Sequence, residues 1–501
     1  MGRNDACVPL AQYNDTTEIS NFKLQIKHYL KAWIIIHAGA IYESRLQIFK
    51  IKICYLKFVI GHLKSMKMQS HKNIHFIGIG GIGISSLAYL ALKEGKRVTG
   101  SDSTASTLID CLAEEGAQVF IGHNRDNVSE DTELVIYTEA IDRESNPEFL
   151  MAKEMGITTL SYFQALGQIS RTKKTIAVVG THGKTTTTAM LGLALIKANL
   201  DPLVIVGSKV REFGNRNINM GKGDFFVAEG CEYRRSFMNL EPFGVVFLNC
   251  EAEHLDYYKN ERDYMEAYKD LVEKIPPDGF LVANFDDKNV KKIADRCAGK
   301  VIGVLKQDAL KLNLRLKILG EFNQFNATQA YKAAEAIGAD LDLVKKALEE
   351  FAGTWRRMEV KGEFNGAILI DDYGHHPTEV FQTLKAIKTH YKDKKLICVF
   401  QPHQYSRTHL LINEFKGAFE FADEVIITDI YAARDTKEDM AKINAEKFVS
   451  VISETHRNVV WGKSLDETYK LLKNTVRNDD VLVTMGAGNI GSLADRLAET
   501  K

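Results

Sequence analysis

The chain has 501 residues, 45% hydrophobic and 26% charged, with 65 Lys+Arg balancing 65 Asp+Glu. That composition excludes intrinsic disorder, the neutral balance gives no sign of a nucleic-acid partner, and the length predicts about three domains. Seven cysteines stand singly at 7, 54, 111, 231, 250, 297 and 398 with no CxxC pair, so neither a disulfide framework nor a zinc ribbon is expected, and a reducing, cytoplasmic setting fits best.

Residues 1–68 carry ten basic and four acidic side chains, while the remainder of the chain has the opposite excess. Apolar clusters occur at 32–36 and 58–60. Lys31, Glu43, Arg45, Lys50, Lys52 and Lys57 interrupt every window of about 20 apolar residues, so no membrane span is predicted. The apolar stretch starts too late for a signal peptide, behind Asp5, Asp15 and Glu18. A basic amphipathic surface helix stays open as an alternative. Met66 and Met68 stand just before a clean strand, and 1–68 is expected to be an atypical basic extension, dispensable for catalysis.

Residues 69–168 read as a first nucleotide-type unit. The strand Asn73–Ile77 runs into Gly78-Ile79-Gly80-Gly81-Ile82-Gly83, and a helix follows over Ile84–Lys93. This GxGxxG arrangement lets the backbone approach a diphosphate at a helix N-terminus. Arg97–Asp102 is a second strand. Its terminal Asp102 lies 24 residues beyond Gly78, where a ribose ligand is expected. Further strands are expected at Gln118–Ile121 and Leu134–Tyr137. Three readings stay open from these residues: NAD, another diphosphate-bearing ligand such as a UDP-sugar, or a turn that only packs a helix.

Residues 169–353 hold a second phosphate site. The buried strand Thr175–Val179 enters Gly180-Thr181-His182-Gly183-Lys184-Thr185-Thr186, a GxxGKT phosphate loop. Its backbone would cradle phosphates, Lys184 would neutralise the terminal ones, and Thr185 would ligate Mg²⁺. Hydride transfer needs no ATP, so a second phosphate site weakens the NAD reading. Phe225–Glu229 ends at a carboxylate in a position suited to Mg²⁺. A further strand is expected over Val245–Asn249, followed by the acidic run 251–256 with His254. Ligands sit at the carboxyl ends of parallel strands, so Glu229 and His254 are expected to meet one metal-phosphate.

Taken together, these segments resemble the Mur ligase family. The resemblance covers about residues 72–495 and rests on the glycine turn, Gly180–Thr188, Glu229, residues 249–256 and Gly320–Asn326. It continues through Thr354–Glu359, Asp371–Glu379, Phe400–Thr408 and Gly486–Ile490. The histidine in the phosphate loop and the run DDYGHHPTE point to the muramate-binding branch. The resemblance implies an α/β chain of three domains: a Rossmann-like UDP-sugar domain, a central P-loop-type ATP-binding domain, and a smaller α/β C-terminal domain over 354–501 that selects the amino acid. On that implication Gly78, Gly80, Gly81, Gly83 and Asp102 hold a UDP-sugar, and the NAD reading loses.

The implied reaction is ATP-dependent addition of L-alanine to the lactyl carboxylate of UDP-N-acetylmuramate through an acyl phosphate, an early step of peptidoglycan synthesis. ATP would lie on Gly180, Thr181, His182, Gly183, Lys184, Thr185 and Thr186. Asn323 and Asn326 match an adenine-recognition pair, and Asp371 or Asp372 a nucleotide contact. Thr185, Glu229 and His254 would hold Mg²⁺. Lys184, His254, and Arg356 or Arg357 would stabilise the transferring phosphoryl group. Tyr373, His375 and Arg407 match positions near the alanine site. His375 is also a candidate acceptor of the amine proton, against a purely structural turn role.

Three departures stand out. Gly230–Phe237 replaces a more acidic run, Phe322 stands where histidine is common, and Gln404 stands where a second arginine is common. Two further functions compete: a ligase that adds a recycled peptide, and a catalytically weakened sensor that binds UDP-sugar or ATP.

Overall fold

The apolar runs of this chain are short, and they form strands of four to eight residues buried between helices. The computed structural model describes residues 68–254, 257–433 and 435–500. The extension through residue 67, together with Leu255 and Asp256, lies outside the described residues.

The first sheet comprises β1 (Asn73–Ile77), β2 (Arg97–Asp102), β3 (Gln118–Ile121), β4 (Leu134–Tyr137) and β5 (Thr158–Ser161). Its order is β3-β2-β1-β4-β5 and every pairing is parallel. Helix α1 (Ile82–Lys93) leaves the glycine turn. Gly78 has φ +78°, and a Cβ there would stand 2.4 Å from Thr138. A Cβ at Gly83 would stand 2.9 Å from the Tyr162 ring. The turn therefore needs glycine for both its backbone angle and its clearance. The helix Tyr162–Ser170 closes this unit, so a division at 168/169 falls within its last turn.

Beneath the glycine turn lies a buried polar knot. The Ser101 carbonyl accepts from Gly78 N at 2.8 Å and Ile79 N at 2.9 Å. The Ser101 hydroxyl donates to Glu148, which is fully buried and also accepts from Asn127. His123 Nδ1 lies 3.2 Å and His75 Nε2 3.7 Å from the same carboxylate. Burial alone would push the Glu148 carboxyl up, but His75, Ser101 and Asn127 outweigh it and hold it at about 2. A depressed carboxylate stabilises the fold fully above its unfolded value near 4.5, and that stability is lost as pH falls from there towards 2. The difference is roughly 3 kcal/mol. Glu148→Gln should therefore unfold less steeply between pH 5 and pH 3 than the parent, as read from acid-unfolding curves. Parallel curves would exclude this knot as the acid-sensitive element.

The central sheet comprises β6 (Lys174–Val179), β7 (Leu203–Val210), β8 (Arg216–Met220), β9 (Phe225–Glu229), β10 (Pro242–Phe247), β11 (Phe280–Asn284) and β12 (Lys300–Val304). The order is β12-β11-β10-β6-β9-β7-β8, and only β8 runs antiparallel to its neighbour. Helix α2 (Lys184–Lys197) follows the phosphate loop, and its residues Thr185–Leu195 are all buried. It packs in one core with α3 (Glu321–Ala336) and α4 (Leu341–Glu350), to which α3 contributes Ala327, Ala330, Ala333 and Ala334.

The expected strand over Val245–Asn249 ends two residues early, at Phe247. Asn249 turns out of the sheet because its side chain serves the phosphate loop: it accepts from His182 N at 2.8 Å and donates to His182 O at 3.0 Å.

The third sheet comprises β13 (Glu359–Phe364), β14 (Ala367–Asp372), β15 (Leu396–Phe400), β16 (Glu424–Thr428), β17 (Val459–Lys463) and β18 (Val481–Met485), ordered β13-β14-β18-β15-β16-β17. Only β13 is antiparallel to its neighbour. Helix α5 (Pro377–His390) follows β14, and the short α6 (Tyr405–Leu410) follows β15. The carboxyl ends of β6, β14 and β15 carry the segments that meet in the site.

Candidate active site

The phosphate loop closes on positive-φ glycines, Gly180 at +140° and Gly183 at +84°. Lys184 opens α2 and folds back, its Nζ donating to Gly180 O at 2.6 Å and Thr181 O at 2.8 Å. It also pairs with Glu232 at 3.0 Å. Burial works against the Lys184 charge, yet Glu232, Glu253 and Glu229 raise its pKa, so it is an ammonium at neutral pH. Thr185 Oγ1 donates to both Glu229 oxygens at 3.1 Å, and Gly207 N donates to Glu229 at 2.8 Å. Thr181 Oγ1 donates to Glu251 O, and Thr186 is buried in the first turn of α2.

The structure groups His254 differently from the expectation. Its Nε2 lies 3.3 Å from Glu232 and 3.9 Å from Glu253, and ligand atoms of these three residues all lie within 4.8 Å of one another. Glu229 belongs instead with Thr185. Sequence reasoning missed Glu232, because the run 230–237 departs from the family pattern; in space it still supplies a carboxylate. His254, Arg356 and Gln404 all hold left-handed backbone, with φ of 56°, 57° and 68°. Such strained positions concentrate at functional sites.

Glu253 joins the central and third domains. It lies 3.2 Å from Arg407 and 3.7 Å from His375 Nε2. Burial opposes its charge, but His375, His254 and Arg407 hold its carboxyl well below the usual range. Arg407 also reaches His403 Nδ1 at 3.0 Å. A cavity of about 40 Å³ opens here, lined by Glu253, His254, Gln404, Ser406, Arg407 and Leu410 among others. His375 Nδ1 lies 3.1 Å from Tyr373 O. Tyr373 stands edge-on to His375 and receives Arg357 over its ring at 5.1 Å.

His182, expected among the nucleotide contacts, points its ring across the domain boundary. It meets Glu251 at 3.0 Å and Glu379 of α5 at 3.1 Å. Burial would lower its pKa, but these two carboxylates raise it to about 10. Thr378 Oγ1 donates to Glu251 at 2.9 Å beside it. Neither Glu251 nor Glu379 had a role in the sequence reading. A carboxylate whose partner lies 197 residues away leaves no local signal.

Of the two arginines expected over the phosphates, Arg356 is committed to the interior of the third domain. It is buried, pairs with Asp371 at 2.7 Å and donates to Gly486 O at 2.7 Å. Arg357 is half-buried, 3.9 Å from Glu379. Asp371 also accepts from Thr484 Oγ1, and Asp372 accepts from Met358 N and Gly374 N. Burial, despite Arg357, raises the Asp372 carboxyl.

Asn323 and Asn326 are buried side by side at the start of α3. Asn326 lies against the phosphate loop, where a Cβ on Gly183 would be 2.9 Å from its Oδ1. The ring of Phe322 lies over Gly320. In the first domain Asp102 accepts from Gly80 N at 2.9 Å, so it closes the glycine turn, and Gly81 caps α1.

Comparison with known proteins follows the same three-part division. Residues 73–174 match the model of the Mur ligase family, catalytic domain; 178–306 match the Mur ligase middle domain; and 356–488 match the Mur ligase, glutamate ligase domain. The chain is 37% identical over 458 residues to a UDP-N-acetylmuramate–L-alanine ligase of Caldanaerobacter subterraneus, covering 86% of this chain and 98% of that protein. It is 37% identical to the enzyme of the same name from Clostridium acetobutylicum, over 86% of this chain and 98% of that one. The crystal structure of UDP-N-acetylmuramate-alanine ligase from Thermotoga maritima superposes with a TM-score of 0.72 at 27% identity, over 86% of this chain and 99% of that one. A murein peptide ligase from Psychrobacter arcticus shares the fold, with a TM-score of 0.64 at 22% identity over 85% of this chain and 98% of that one.

Proposed function

The chain belongs to the Mur ligase family, and from that membership we propose that it joins L-alanine to the lactyl carboxylate of UDP-N-acetylmuramate, converting ATP to ADP and phosphate. It is an ATP-dependent ligase. The observation that carries the substrate reading is the small cavity between domains, where Arg407 and Glu253 stand beside the phosphate-loop cluster of Lys184, Glu232 and His254. A guanidinium and a carboxylate at one cavity complement the carboxylate and ammonium of a free amino acid.

The UDP diphosphate lies on the glycine turn at the N-terminus of α1, with Asp102 fixing that turn. ATP lies on the phosphate loop, with Asn323 and Asn326 towards its base. The lactyl carboxylate attacks the γ-phosphate and ADP leaves; the amine of L-alanine attacks the acyl phosphate, and phosphate leaves. Lys184 carries charge into the first step, which is governed by positioning and charge stabilisation. Arg357, rather than Arg356, is the third-domain arginine available to the phosphates. His375 Nε2 takes the amine proton, and Arg407 holds the alanine carboxylate. We place the reaction in the cytoplasm. Among the described residues no helix is long and apolar enough to cross a membrane.

Thr185 with Glu229, and separately Glu232 and Glu253 beside His254, would offer carboxylate and hydroxyl oxygens to Mg²⁺, a hard cation that prefers oxygen. When bound, it neutralises charge on the phosphates. Glu229→Ala and His254→Ala should each raise the Mg²⁺ needed for half-maximal turnover, on the order of 10–100-fold, and leave UDP-N-acetylmuramate binding unchanged. Mg²⁺ titration of phosphate release checks this, and curves like the parent's would make both residues structural.

The function itself is tested by an amino-acid screen of phosphate release with ATP, Mg²⁺ and UDP-N-acetylmuramate. L-Alanine should give the highest kcat/KM. Preference for a peptide would favour the recycling activity, and no release with any acceptor would favour a sensor.

A further inference from the structure

At the edge of the central sheet opposite the phosphate loop, the amino ends of β6, β9 and β10 border a cavity of about 630 Å³. Strand β6 spans the distance from Lys174 at this cavity to Gly180 at the loop, roughly 20 Å at about 3.3 Å per residue. The two places are therefore separate. The wall carries Arg171, Lys173, Lys174, Lys222 and Lys274 against Asp224 and Glu241. A local excess of positive charge stands out in a chain whose formal net charge is zero.

Four of these cations have partners around the space. Lys173 Nζ donates to Gly223 O, and Lys274 Nζ donates to Met238 O at 2.8 Å and to Leu240 O. Lys174 Nζ sits 5.3 Å above the Phe243 ring. Glu241 is shared between Lys274 at 3.4 Å and Arg171 at 3.9 Å, so one carboxylate serves two cations. Burial lowers the Lys274 pKa; Glu241 opposes that and Arg171 adds to it. Arg171, Lys174 and Lys222 are exposed, so these like charges repel through solvent, and an anion between them relieves that repulsion.

We propose that this cavity is a further anion site, distinct from both the phosphate loop and the glycine turn, for a compact molecule bearing a di- or polyphosphate group. Its volume falls in the range of small-molecule pockets, roughly 300–1,000 Å³. Phe243 supplies one flat apolar wall, and the arginine and lysines supply donors for phosphate oxygens.

The test is calorimetric titration of the full chain with inorganic pyrophosphate, without Mg²⁺. Three proteins are compared: the parent, Lys184→Ala, and Lys184→Ala carrying Arg171→Glu and Lys222→Glu. Lys184→Ala weakens competing binding at the phosphate loop. A pyrophosphate-binding event should survive in Lys184→Ala and weaken on the order of tenfold or more when the two charges are reversed. The neutral pair Arg171→Gln/Lys222→Gln guards against a folding defect and should show the same loss on a smaller scale. With Lys184 intact, that pair should keep its turnover at saturating substrates. Disappearance of all pyrophosphate binding in Lys184→Ala would overturn the proposal. So would binding indifferent to both the reversed and the neutral pairs.

Discussion

Lys184→Ala should lower turnover on the order of a thousandfold and leave UDP-N-acetylmuramate binding intact. The lysine is the cation most directly tied to the loop, held by Gly180 O, Thr181 O and Glu232. Charge on the transferring phosphoryl group develops where the loop opens, and a fixed ammonium there needs no reorganisation. Its removal also leaves Glu232, whose side chain is only 3% exposed, with His254 as its remaining ion-pair partner. On the proposed assignment the sugar nucleotide belongs to the first domain, so its affinity should not follow. Arginine should not restore activity, because the two carbonyls at 2.6 and 2.8 Å cradle a compact ammonium and not a planar fork. Single-turnover kinetics with calorimetry of UDP-N-acetylmuramate separate the two effects. A tenfold loss or less would remove Lys184 from the phosphoryl-transfer step.

Arg407→Ala should raise the KM for L-alanine by roughly 10–150-fold, the worth of a charge-assisted pair, with little change for ATP. The side chain is positioned before substrate arrives, by Glu253 on one nitrogen and His403 on the other. An incoming carboxylate meets a guanidinium already oriented, which suits a two-pronged contact. Without it, Glu253 would face the substrate carboxylate directly and add repulsion. Gln404 supplies no second charge at the cavity. Arg407→Lys should not rescue, since a point charge lacks the fork. Equal increases in KM for all three substrates, or a lower Tm with an unchanged alanine KM, would assign Arg407 to tying the loop down.

Both glycine-rich turns were legible in the sequence because each is local: an apolar strand, a glycine-rich turn and a helix in immediate succession. The strands with continuous apolar runs, such as Leu134–Tyr137 and Thr175–Val179, were legible for the same reason. Four of the site's acids were not. Glu232, Glu251, Glu253 and Glu379 acquire their meaning from partners on other elements. His182 meets Glu379 only because the carboxyl ends of β6 and β14 come together across two domains. Arg356 and Arg357 look alike in sequence. A left-handed backbone at Arg356, with φ 57°, turns the first inward to Asp371, and nothing in the residue order announces which of the two goes in.

The alanine-rich face of α3 has a metrical consequence. Small side chains let α3 lie close against α2, and axes in such contacts stand near the short end of the 8–10 Å range. The phosphate loop is the head of one helix and the Asn323–Asn326 pair the head of the other. Asn326 already touches the envelope of Gly183. Methyl groups that touch neither ligand thus help set the interval between the base end and the phosphate end of the proposed nucleotide site. The two helices act as a caliper that gauges a nucleotide's length, and its setting is written in Ala327, Ala330 and Ala334.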